Sequence, residues 1–195
     1  PSEFVNRAMP GGKLAPNLER QGVKMWRTLA SDVTLIYFNM QDAVVGGYEP
    51  EQVALRRAIG MAYNTDEETR VVWQGQAIPA TQFLPPHVFG FDATKKDPAR
   101  FDPAAAKALL DRFGYVDRNG DGWRDLPDGK PLTLVVSSQP AGLERQLDEL
   151  WKKSMDAIGI RMNVQQQTFA ELLNLARTGK LPMFNLGLRA LEPSG

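Results

Sequence analysis

The sequence predicts an α/β fold, a mostly parallel sheet flanked by helices, and three observations carry that prediction. Val33–Phe38 is β-branched or aromatic at nearly every position, the composition of a strand. Leu132–Val136, an amphipathic stretch of about 15 residues, and Ile160–Val164 read as strand, helix, strand, and such a βαβ unit has parallel strands. Asp102-Pro103 and Gly114 bracket a run of good helix formers.

Taken in order, residues 1–30 mix Pro10, Gly11, Gly12, Pro16 and Gly22 with scattered apolar residues and read as an irregular approach segment. The strand Val33–Phe38 is expected to be buried on both faces and to end at Asn39. Pro50 opens a helix whose apolar positions Val53, Leu55, Ala58, Ile59, Ala62 and Tyr63 keep mainly to one face. Thr65 with Glu68 has capping-box spacing, so a second short helix ending near Gly75 follows.

From Ile78 to Pro98 four prolines and a glycine forbid a long helix and predict an ordered surface loop. The helix of Ala104–Phe113 comes next, stopped by Gly114. After an Asp- and Gly-rich loop and the βαβ unit, a helix near Phe169–Arg177 and a strand Met183–Leu188 complete the pattern. Residues 31–195 read as a single α/β domain, and both chain ends read as cuts inside a longer protein.

The 195 residues carry 23 basic and 23 acidic side chains, a balance that offers nucleic acid no basic surface. With 43% hydrophobic residues the chain can bury a core, and no apolar run approaches the roughly 20 residues that span a bilayer. The absence of cysteine excludes disulfides, thiolate metal sites and cysteine nucleophiles.

The sharpest local motif is Asp117 to Asp125, which places oxygen ligands Asp117, Asn119, Asp121 and Asp125 at loop positions one, three, five and nine. Trp123 offers a carbonyl and Asp128 falls at twelve, so the six residues form a candidate structural calcium site. The competing reading makes Asn119-Gly120, Asp121-Gly122 and Asp128-Gly129 plain turn dipeptides between a helix and a strand.

His87 is the only histidine and sits in the proline-rich loop, which leaves no second histidine for a metal site. No serine occupies a nucleophile elbow, and no glycine-rich phosphate cradle is present, so the chain does not read as an enzyme and needs no cofactor. Trp151 lies on the apolar face of its helix and reads as core; Trp73 reads as core or rim, and Trp123 belongs to the turn-rich loop.

Read together, Ile36-Tyr37-Phe38-Asn39 and Val53 to Asn64 resemble the signature of family 5 solute-binding proteins, the peptide/nickel class served by ABC importers. Phe101 to Leu110 with Phe113-Gly114-Tyr115, the loop Asp117 to Gly129, and Ile158-Gly159-Ile160 resemble further segments of that family in the same order. The resemblance implies one lobe of a two-lobed periplasmic binding protein, acting as a monomer. It implies capture of a peptide or other small solute between lobes and delivery to an ABC permease in the membrane. It also implies a periplasmic or extracytoplasmic location, with no signal peptide in this chain.

Ligands of open α/β sheets meet the carboxyl ends of strands, so Asn39 and Gln41 after the first strand, and Leu188 and Arg189 at the last, are the expected ligand residues. Peptide-binding relatives carry an aromatic residue and then an aspartate after the last strand. Here Leu188 and Leu191 stand in those places, which removes the partner of a peptide ammonium group unless Glu192 substitutes, and Arg189 would instead suit an anionic solute. A calcium-dependent interaction module built on Asp117–Asp128 is the alternative function.

Overall fold

The computed structural model describes residues 7–96 and 99–189. Its four strands are β1 (Asp32–Phe38), β2 (Thr133–Ser138), β3 (Arg161–Gln166) and β4 (Met183–Arg189). Six α-helices accompany them: α1 (Pro16–Arg20), α2 (Pro50–Ala62), α3 (Thr65–Val71), α4 (Pro103–Arg112), α5 (Gly142–Ala157) and α6 (Phe169–Arg177). A 3₁₀ turn at Pro10–Gly12 precedes them.

The sheet has the order β1-β4-β2-β3. β2 pairs in parallel with β3 along its whole length and with β4 at Val136 and Ser137, so the βαβ expectation holds. β1 departs from it. Asn39, just past β1, donates its amide to the carbonyl of Pro182, just before β4, at 2.9 Å. At the other end Arg189 closing β4 binds Asp32 opening β1, so these two strands run in opposite directions.

As an edge strand β1 has one flank without a strand neighbour, and this corrects its expected burial: only Val33 is buried, while Tyr37 is 44% exposed. A continuous apolar run signals a strand but not its place in the sheet.

The chain divides into two compact units. The larger comprises Thr34–Asn64 and Asp97–Gly187 and holds nearly all of the sheet. Its core gathers Leu55 and Ile59 of α2, Leu110 of α4, Leu134 of β2, Met155 of α5 and Met183 of β4, each with essentially no exposure. Tyr63 stacks on Trp151 with ring centroids 3.9 Å apart, which makes Trp151 core as its sequence position implies.

Local punctuation sets the helix limits. Asp102 accepts a hydrogen bond from the Ala105 amide at 2.9 Å, and Pro103 takes the first helical position. Gly114, at φ +80°, then turns the chain so that the amide of Tyr115 reaches the Leu110 carbonyl, a Schellman ending. Gly159 ends α5 the same way, its conformation letting Ile160 reach Met155. Asp102→Ala should cost about 1 kcal/mol, which a thermal scan reads as a fall of roughly 2–4 °C in a chain this size.

The smaller unit consists of described residues up to Val33, Thr65–Lys96, and the last two residues of β4. Here α3 starts at Thr65 as expected, but Glu68 accepts the indole N–H of Trp73 at 2.6 Å. Trp73 is half-buried, a rim position. Among its described residues the proline-rich segment forms no helix or strand, and Gln82 ties across it to the backbone of Asp92. Among the described residues no helix is long and apolar enough to cross a membrane.

Candidate functional site

The four residues expected to share one ligand edge fall at two ends of the β1/β4 pair. Because those strands are antiparallel, Asn39 and Gln41 lie beside the start of β4, whereas Leu188 and Arg189 lie at its finish. Seven residues of strand separate the two ends, roughly 20 Å at about 3.3 Å per residue. Strand direction, which local sequence does not encode, sets the two pairs at opposite ends of β4.

Asn39 is buried and saturated by its own chain. Its side-chain amide donates to the Gly179 carbonyl at 2.8 Å, and its side-chain oxygen accepts from the Gln41 amide at 3.0 Å. Those bonds end β1 and clamp the turn between α6 and β4. Gln41 is exposed and Leu188 half-buried. Arg189 grips Asp32 through two hydrogen bonds of 2.9 and 3.4 Å, so its charge is already neutralised on the surface.

A polar cluster does gather at the carboxyl ends of the parallel strands, inside the larger unit. Ser137 and Ser138 finish β2 and are both buried. Gln167 follows β3 directly and donates its backbone amide to the Ser138 carbonyl at 2.9 Å. Asp148, in the second turn of α5, has one carboxylate oxygen, Oδ2, buried without a hydrogen-bond partner, and so does the Gln167 Oε1. None of these residues was expected from the sequence. The one available signal was β2 ending in two serines on an otherwise apolar strand.

Burial raises the Asp148 carboxyl above its ordinary range; the neighbouring Ser138 hydroxyl pulls it down, and Glu144 one turn earlier pushes it up. A carboxyl raised in the folded state holds its proton longer there than when unfolded, so this group costs stability as pH rises through its folded value. Asp148→Asn should therefore raise the melting temperature at pH 7. The gain should fade below about pH 4 and vanish at about pH 2–3, where Asp148 is protonated in both states, and melting curves across that range check the sign.

The side-chain oxygens of the candidate calcium ligands accept hydrogen bonds from their own chain. Asp117 accepts the amides of Gly120 and Gly122, Asn119 that of Asp121, and Asp121 that of Trp123. Asp125 turns inward, buried, to accept the Arg118 amide at 3.0 Å, and Asp128 takes both the amide and the ammonium group of Lys130. Arg161 of β3 reaches Asp121 at 3.1 Å and lies 5.4 Å over the Trp123 ring. The Trp123 amide and Arg161 together hold the Asp121 carboxyl below its usual range.

Among the described residues no group of three or more acidic or histidine side chains could hold a metal ion. Nothing in the structure supports the calcium reading, and the loop carboxylates bind amides of their own turns, as the competing reading of the motif has it. His87 is exposed on its loop at φ +69°, a left-handed conformation that few non-glycine residues adopt.

The sequence profile of bacterial extracellular solute-binding proteins, family 5 (middle region), matches residues 5–193. Di/tripeptide-binding protein 2 of Pseudomonas aeruginosa is 33% identical over 139 residues, 70% of this chain and 24% of that protein. The dipeptide-binding protein of Escherichia coli is 25% identical over 130 residues, 67% of this chain and 23% of its own length. The chain thus spans about a quarter of the length of the curated relatives it matches. Among solved structures, the Bacillus subtilis oligopeptide-binding protein AppA, in complex with a nonapeptide, superposes with a TM-score of 0.74 at 19% identity. That match covers 83% of this chain and 32% of AppA, and it shows the fold. Profile, relatives and fold agree, and the chain belongs to family 5 of the bacterial extracellular solute-binding proteins.

Proposed function

We propose that this chain is a ligand-closing lobe of an ABC importer's receptor, capturing a peptide or other small solute and passing it on without chemical turnover. The observation that carries the reading is the polar carboxyl edge of the parallel strands: Ser138, Asp148 and Gln167 stand where open α/β sheets take ligands. Relatives named for dipeptides and tripeptides support a short peptide as the solute class. In this reading the protein is a monomer in the periplasm or outside the cell, and its partner is a membrane permease.

Residues 190–195, which include the Leu191 and Glu192 positions singled out above, lie outside the described residues. Arg189 enters the proposal as a weak point for an anionic solute, because a ligand carboxylate there must displace Asp32. Calorimetric titration of the full-length receptor with separate pools of di- and tripeptides and of small carboxylates tests the reading. Binding confined to the peptide pool is the expected result, and binding confined to the carboxylate pool overturns the peptide assignment. The proposal includes no resident metal, so addition of EDTA should leave the melting temperature unchanged.

A further inference from the structure

We propose that Asn119 is a self-modification site, converted by groups of its own loop to aspartate and isoaspartate through a cyclic imide. Asn119 is the only asparagine in the sequence followed by glycine, the neighbour whose amide nitrogen has no side chain beside it to block close approach. Asp117, Asn119 and Gly120 are all exposed on the loop between α4 and β2. Gly120 stands at φ +78°, and a Cβ built there would meet no atom within 4 Å, so this face of the turn is open.

Three groups of the loop are placed as an acyl transfer needs them. The nucleophile is the Gly120 nitrogen, whose N–H donates to Asp117 Oδ1 at 2.7 Å, within the reach from which a general base takes a proton. The electrophile is Asn119 Cγ, whose oxygen Oδ1 accepts the Asp121 amide at 2.8 Å. That donor points at the atom on which negative charge develops, the task of an oxyanion hole. The arrangement is held from both sides. Asp117 Oδ2 accepts the Gly122 amide at 2.9 Å, and Asp121 is fixed by the Trp123 amide and by Arg161. Groups already in place spare the reaction the entropy of assembling them.

In the first step the Gly120 nitrogen bonds to Asn119 Cγ, its proton passes to the Asp117 carboxylate, and the carbonyl electron pair moves onto Oδ1. As the carbonyl re-forms, the Cγ–Nδ2 bond breaks, the proton moves from Asp117 to the departing nitrogen, and ammonia leaves. Water then adds to either carbonyl of the cyclic imide and opens it, giving aspartate or isoaspartate at position 119. Water is the only co-reactant, and the product carries an added negative charge.

Isoaspartate also lengthens the backbone next to Asp121, which holds Arg161 of β3 at 3.1 Å, while Trp123 lies 5.4 Å beneath the same guanidinium. Conversion therefore loosens the tie between this loop and the edge of the sheet.

The test incubates the folded full-length receptor beside a free peptide of residues 116–123 at about pH 7.5. Peptide mapping by mass spectrometry follows the conversion, and labelling by an isoaspartate methyltransferase identifies the product. Asn119 in the receptor should convert about tenfold faster than in the peptide, a modest part of what a positioned base and an oxyanion donor contribute. Asn17 and Asn174, followed by leucine, should stay intact. Asp117→Asn should bring the receptor's rate down to that of the peptide. Conversion in the receptor at or below the peptide's rate overturns the proposal, as does an Asp117→Asn variant that converts as fast as the unmodified protein. The peptide comparison needs only unmodified receptor, so it decides the case even where the variant does not fold.

Discussion

Replacing Leu110 by alanine should lower the unfolding free energy by about 2–5 kcal/mol, the range for a fully buried leucine cut back to a methyl group. Leu110 has no exposure and sits in the last turn of α4, which packs on α2, whose Leu55, Ala58 and Ile59 are themselves fully buried. Its carbonyl also closes the Schellman turn at Gly114, so backbone and side chain are fixed together and the neighbours have little freedom to collapse into the space. The urea midpoint of the chain should fall while the denaturant slope stays constant. A changed slope with an unchanged midpoint would show that the α2/α4 contact is not part of the cooperative core.

Asn39→Ala should cost about 1–2 kcal/mol, because it removes two part-buried hydrogen bonds, to the Gly179 carbonyl and from the Gln41 amide. The same substitution separates two roles. If Asn39 serves the fold, the full-length receptor carrying Asn39→Ala should melt earlier yet keep its affinity for a peptide pool at temperatures where it remains folded. Loss of affinity in a variant of unchanged melting temperature would instead make Asn39 a ligand residue. The hydrogen bonds argue for the first outcome: both polar ends of its side chain are spent on backbone groups of its own unit.

Most element positions were readable because their signals are local. Asp102, Pro103 and Gly114 mark α4 within a residue, and Gly159 and the alternating leucines do the same for α5. A βαβ reading of β2, α5 and β3 needed only the length of the crossover. The direction of β1 was not readable, since pairing with β4 joins residues about 150 positions apart and no local pattern states it. That one unread pairing divided the expected ligand residues between two ends of a strand.

The Asp117–Asp128 loop shows the converse. Its spacing is a real regularity, but turn chemistry and calcium chemistry want the same residues, and only the destination of each carboxylate oxygen separates them. The Asp148–Gln167–Ser138 cluster escaped notice for another reason: it unites three segments that are unremarkable one by one. An aspartate on a surface-patterned helix and a glutamine beginning a loop acquire meaning only through burial.

The edge position of β1 also bears on how this polypeptide behaves in concentrated solution. Among the described residues Val33–Phe38 presents six uncharged residues with no strand on one flank, whereas the opposite edge, β3, is guarded by Arg161, Asn163, Gln165 and Gln166. Self-association of the isolated chain is therefore expected to begin at β1, as strand-to-strand pairing between copies, and a lysine placed at Thr34 or Ile36 should suppress it.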